Sequence, residues 1–106
     1  MQMPKVTVRS GAGAVREVVC SGEFDADSVG RLDEVCAREA GDARVLVLDV
    51  SQVAFADSSF LNVLIRANNS GPLVLADPLP RQLRRMLEMT GALPLFDLRD
   101  DDAPTG

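Results

Sequence analysis

Histidine, tryptophan and tyrosine are all absent from this 106-residue chain, and four phenylalanines are its only aromatic residues. Without histidine there can be no Ser-His-Asp or Cys-His catalytic arrangement and no histidine metal site. With so few rings, stacking platforms for single-stranded nucleic acid are nearly missing. The net charge of −5 and the lack of a long basic run argue further against nucleic acid as a partner. No stretch approaches the ~20 apolar residues of a membrane span, and no charged-then-apolar leader segment is present. A cytoplasmic protein with no membrane attachment is therefore expected. No phosphate-binding glycine loop, cofactor motif or metal-ligand cluster is found. Cysteine is scarce too: Cys20 and Cys36 lie far apart in apolar surroundings and form no Cys-x-x-Cys pair. They read as buried free thiols.

What the chain does have is 46% hydrophobic residues, enough for an aliphatic core in one domain. Lys5–Arg9 alternates and reads as an edge strand, Ser10–Gly13 as a turn, and Val15–Ser21 as a second strand forming a hairpin with the first. Gly22-Glu23-Phe24-Asp25 reads as a tight connection. Asp25, Asp27 and Ser28 are candidate caps for a helix running to about Ala40, with Val29, Leu32, Val35, Cys36 and Ala40 on its apolar stripe and Gly41 as a stop. Val45–Val50 is a nearly continuous apolar run, as in a strand buried on both faces. Ser51–Ala56 reads as a loop with Val53 and Phe55 turned inward. A second helix starts at Ser58 or Ser59 and ends near Ser70-Gly71. Pro72–Ala76 is a fourth strand. Asp77-Pro78-Leu79-Pro80 opens a third helix, with Asp77 near the cap and prolines in the first turn. Leu79, Leu83, Met86, Leu87 and Thr90 form its buried face, and Gly91 ends it. Leu93–Leu98 reads as a short edge element, and the acidic segment 99–106 as a frayed tail outside a domain spanning 1–98. The order β-β-α-β-α-β-α-β predicts an α/β fold, a small mixed sheet with helices packed against it.

The triplet Asp57-Ser58-Ser59 stands where the third strand feeds the second helix. Ser, Thr and Asp are the preferred helix N-caps, so on its own the triplet reads first as capping chemistry. A serine there can also carry a phosphate. Unpaired N–H groups and the positive end of the helix dipole favour an anion at that position. Along the helix, Asn62, Arg66 and Asn69 share one face and Phe60, Val63, Leu64 and Ala67 another.

Three ordered landmarks resemble the STAS domain, specifically the small stand-alone anti-sigma-factor antagonists of bacteria. These are Gly22-Glu23-Phe24-Asp25 before the first helix, the strand Val47–Val50 leading through Ser51–Ala56 to Asp57-Ser58-Ser59, and Leu83–Ala92 with its Thr90-Gly91 ending. The resemblance covers nearly the whole chain. It implies that Ser58, directly after the aspartate, is phosphorylated by a partner that is both anti-sigma factor and serine kinase. The unphosphorylated form binds that partner and frees a sigma factor; the phosphorylated form lets go. Asp57 would orient the serine or help bind the partner's nucleotide-metal site. Asp25, Asp57, Ser58, Ser59, Asn62, Arg66 and Asn69 would form the contact surface of a monomer. One departure stands out: the family pattern continues Gly-Leu after the serines, and this chain continues Phe60-Leu61. Phe60 either adds bulk beside Ser58, altering partner choice or blocking the kinase, or turns into the core with Val63 and Leu64, as the helical spacing favours.

A second reading keeps the fold and changes the role. Lipid-transport and stressosome relatives share the architecture, so the chain could be an unphosphorylated STAS subunit of a transporter or signalling scaffold, its serines mere caps. An enzyme is the least supported reading.

Overall fold

The computed structural model describes residues 3–10 and 13–100. They form one α/β domain with a five-stranded mixed sheet in the order β1-β2-β3-β4-β5. The strands are β1 (Lys5–Ser10), β2 (Val15–Phe24), β3 (Val45–Ala56), β4 (Leu73–Asp77) and β5 (Asp97–Asp100). The helices are α1 (Val29–Asp42), α2 (Ser58–Ser70) and α3 (Arg81–Met89), with a 3-10 turn at Leu93–Leu95. β1 pairs antiparallel with β2, and every other pairing is parallel. Part of the turn expected at Ser10–Gly13, and residues 101–106 of the expected tail, fall outside the described residues. β5 takes in Arg99 and Asp100, the first two residues of that segment.

The core is aliphatic, as the composition requires. β2 contributes Val18, Cys20 and Phe24; α1 contributes Leu32, Val35 and Cys36; α2 contributes Phe60, Val63 and Leu64; and α3 contributes Leu83 and Leu87. Both cysteines are free and buried.

β3 differs most from the sequence expectation. It runs six residues past Val50, where a loop was expected. Val47 is buried on one face, and the buried positions of the other are Leu46, Leu48, Val50, Val53 and Ala56. The spacing is two at first and then three, twice. Each added residue is a bulge against β2, in the register steps from Val19↔Asp49 to Ser21↔Gln52 and from Gly22↔Val53 to Glu23↔Phe55. A bulge shifts every later side chain relative to the sheet. Val53 is accordingly buried, but Phe55 is 44% exposed rather than turned inward. The first bulge is fastened by Asp49, whose Oδ1 accepts hydrogen bonds from the Ser51 amide (3.0 Å) and hydroxyl (2.7 Å).

β2 likewise continues through Gly22 and Glu23 to Phe24, where a tight connection was expected. Gly22 has φ +92°, and a Cβ there would run into the backbone carbonyl of Met3. Only glycine fits that position without strain.

Smaller differences concern helix ends. α1 passes through Gly41 to Asp42, because the Ala43 amide still bonds the Glu39 carbonyl at 2.9 Å. Asp77 is the last residue of β4, three positions ahead of the N-cap of α3. The N-cap of α3 is Pro80, so the prolines precede the helix. Thr90 is exposed, its hydroxyl donating to the Met86 carbonyl at 2.8 Å. Leu93–Leu95 is a 3-10 turn, and the edge strand begins only at Asp97.

Candidate functional site

Two aspartates stand side by side at the C-terminal edge of the parallel strands. Phe24 and Ala56 are register partners, so Asp25 and Asp57 leave the sheet from adjacent strand ends, the usual location of sites in α/β sheets. Each aspartate turns its chain into a helix.

Asp57 has an extended backbone (φ −111°, ψ −168°), and its Oδ1 accepts from the amides of Ser59 (2.9 Å) and Phe60 (3.4 Å). Its carbonyl receives the amides of Phe60 and Leu61 at 3.1 and 3.2 Å. Asp57 is thus the N-cap and Ser58 the first helical residue. The carboxylate performs the capping that the sequence left open among the three residues of the triplet. The Ser58 side chain is exposed and makes no hydrogen bond to any described residue, and Ser59 is half-buried.

Asp25 is engaged in its own turn. Its Oδ1 accepts from the amides of Asp27 (3.0 Å) and Ser28 (3.1 Å) and from the Ser28 hydroxyl (3.0 Å), while Ser28 Oγ accepts from the Asp25 amide at 2.9 Å. This reciprocal pairing has the logic of a capping box and starts the chain toward α1.

α2 carries the rest of the predicted surface. Asn62, Arg66 and Asn69 are all exposed on the face the spacing assigned them. Arg66 reaches across to α1 and forms a two-point ion pair with Asp33, Nη2–Oδ2 3.1 Å and Nε–Oδ1 3.4 Å. On the opposite face Phe60 is fully buried, its ring centroid 5.3 Å from that of Phe24 in a tilted arrangement. The bulk at this departure from the family pattern therefore fills the core and does not stand beside the Ser58 hydroxyl.

Sequence reasoning missed Gln82 in α3. Its Nε2 donates to the Ala56 carbonyl at 2.7 Å and its Oε1 accepts from the Ala56 amide at 3.0 Å. A polar residue on the wet face of a helix gives no sequence signal of such a contact. Among the described residues no cluster of three or more His, Cys, Asp or Glu side chains could hold a metal, and no helix is long and apolar enough to cross a membrane.

The chain belongs to the STAS-domain family: residues 8–94 match the family described as Mlab, STAS domain. No curated protein sequence matches it. Among solved structures, the fold is similar to an anti-sigma factor antagonist from Mycobacterium paratuberculosis, with TM-score 0.82 and 24% identity over 92% of this chain and 86% of that one. It is also similar to the anti-sigma factor antagonist SpoIIAA in its unphosphorylated form, with TM-score 0.76 and 15% identity over 95% and 90%. For the Bacillus cell fate determinant SpoIIAA in the phosphorylated form, the values are 0.72 and 16% over 95% and 93%. At these identities the likeness establishes a common fold.

Proposed function

We propose that this chain is a cytoplasmic, monomeric anti-sigma-factor antagonist whose binding is switched by phosphorylation of Ser58. One observation carries the reading: because the Asp57 carboxylate caps α2, the Ser58 hydroxyl is left exposed and unbonded at the first helical position. The fold shared with SpoIIAA, known in phosphorylated and unphosphorylated forms, supports it. In the phosphorylation step Ser58 Oγ attacks the γ-phosphorus of ATP held by the partner. The bond to the β-phosphate oxygen breaks, ADP leaves, and the hydroxyl proton passes to a base on the partner.

Unphosphorylated, the protein docks on an anti-sigma factor with serine-kinase activity through Asp25, Asp57, Ser58, Ser59, Asn62, Arg66 and Asn69, releasing a sigma factor. A phosphate adds about −1.5 to −2 charges. At the helix N-terminus that charge favours the helix itself, so the switch acts on the interface, through desolvation and repulsion, and not through unfolding. Each ~1.4 kcal/mol lost is tenfold in affinity. No catalytic group of the protein's own takes part.

Incubation with the anti-sigma kinase and ATP, followed by fragment mapping, is expected to place the phosphate on Ser58 and to find none on Ser58→Ala. In calorimetric titration Ser58→Ala should keep affinity for the partner, and Ser58→Asp should lose part of it while melting no lower. Phosphate on Ser59 alone would reverse the assignment. Equal affinity of the Ala and Asp variants would favour the structural-subunit role.

A further inference from the structure

We propose that Gln82 is a positioning residue for the Ser58 turn: its side-chain amide acts as a one-residue strand that clamps the end of β3. β4 pairs with β3 only over Leu46–Asp49, so the last seven residues of β3 extend beyond their β4 neighbour. Ala56 is the last of these and is fully buried. A residue in a parallel strand turns its N–H and C=O toward the same neighbour, and a primary amide presents one donor and one acceptor to match them. Gln82 supplies both, at 2.7 and 3.0 Å, from 26 residues away in the chain. Its own helix is anchored in the core by Leu83 and Leu87, and Leu79 just ahead of the helix is buried too.

Ala56 directly precedes the cap Asp57 and stands two residues before Ser58. On its other edge it is held by β2 at Phe24. Fixing both sides of Ala56 fixes the direction in which the chain enters α2, and with it the place of the Ser58 hydroxyl. Both hydrogen bonds of the Gln82 side chain go to Ala56 and neither to Asn62, Arg66 or Asn69 on the α2 face. Loss of the clamp should therefore impair delivery of the hydroxyl more than docking. It also makes α3 a second input to the site, since anything that draws Gln82 away releases the turn. The effect on phosphoryl transfer rests on Ser58 being the phosphoacceptor, whereas the clamp itself does not.

The test uses the full chain with Gln82→Leu and Gln82→Glu, thermal melts serving as a folding control. In Gln82→Leu, exchange of the Ala56 amide with solvent should quicken at least tenfold, and the amide resonances of Ala56 to Ser59 should shift. In Gln82→Glu, a protonated carboxyl reproduces both hydrogen bonds and an ionised one opposes the Ala56 carbonyl. Those resonances should match the parent at low pH and depart on titration, with a midpoint above the ordinary ~4.3 of a glutamate. A merely structural surface residue would give no such rescue. With the anti-sigma kinase and ATP at neutral pH, both variants should lose about tenfold in kcat at little change in KM. Unchanged exchange in the Leu variant, no titration in the Glu variant, or unaltered kcat in both would overturn the proposal. If the parent itself is not phosphorylated on Ser58, the functional reading fails, and exchange and titration alone decide whether Gln82 positions the turn.

Discussion

Ser58 and Asp57 are neighbours with opposite energetic roles. The carboxylate of Asp57 satisfies the Ser59 amide and shares the Phe60 amide with its own backbone carbonyl, and the hydroxyl of Ser58 satisfies none. Asp57→Ala should therefore lower stability by about 1 kcal/mol, the usual cost of a lost N-cap, while Ser58→Ala stays within about 0.5 kcal/mol of the parent. Urea unfolding of the two variants checks this. An equal loss for both would mean that the serine shares the capping. The triplet was legible in the sequence as a cap or a phosphoacceptor, but spacing alone could not divide the roles among three adjacent polar residues. Phe60 was legible, because its place at i, i+3 and i+4 with Val63 and Leu64 fixed its face. Replacing it with the glycine usual in the family should not improve the protein. Phe60→Gly empties a fully buried site packed on Phe24 and should cost at least about 4 kcal/mol. If Ser58 is the phosphoacceptor, any folded fraction should still be phosphorylated, since the ring does not cover Ser58.

At the scale of elements, α2 and β3 show what sequence patterns carry. The amphipathic period of α2 identified its buried and exposed faces correctly, because a helix keeps its period of 3.6 to the end. β3 hid its second half because two bulges change the inward spacing from two to three. A run such as Val50-Ser51-Gln52-Val53-Ala54-Phe55-Ala56 then fits no fixed alternation. The Arg66–Asp33 pair joins α2 to α1 at the surface, with side chains 60% and 43% exposed. Exposed pairs contribute little to stability. Arg66→Ala should lower stability by under ~1 kcal/mol. If α2 is the docking face, it should weaken partner affinity by more than that. Calorimetric titration beside chemical melts separates the two effects. Affinity that falls no more than stability would remove Arg66 from the contact surface.

For the whole molecule, the absences that opened the sequence make its alkaline behaviour simple. There is no tyrosine, and Lys5 is the single lysine, so above neutral pH the two thiols are the main side chains left to titrate. Burial pushes both thiols up. Cys36 reaches about 12, with Asp33 adding to the shift, and Cys20 goes higher still, with Cys36 and Asp49 adding. In the unfolded chain a thiol ionises near about 8.5. Above that pH the unfolded state sheds protons that the folded state keeps, so the contribution is complete below about pH 8.5 and is lost as pH rises toward the folded values. The slope approaches about 1.4 kcal/mol per pH unit for each thiol. Urea midpoints should accordingly stay level from pH 7 to 8 and fall steeply between pH 9 and 10. The Cys20→Ala, Cys36→Ala double variant, though less stable throughout because of its smaller side chains, should lose most of that slope. An unchanged slope in the double variant would show that other groups govern the alkaline limit. Thiol-reactive reagents supply an independent check. With both sulfurs buried and protonated, labelling of the native protein should proceed only as fast as the chain opens, and it should quicken in step with the alkaline loss of stability.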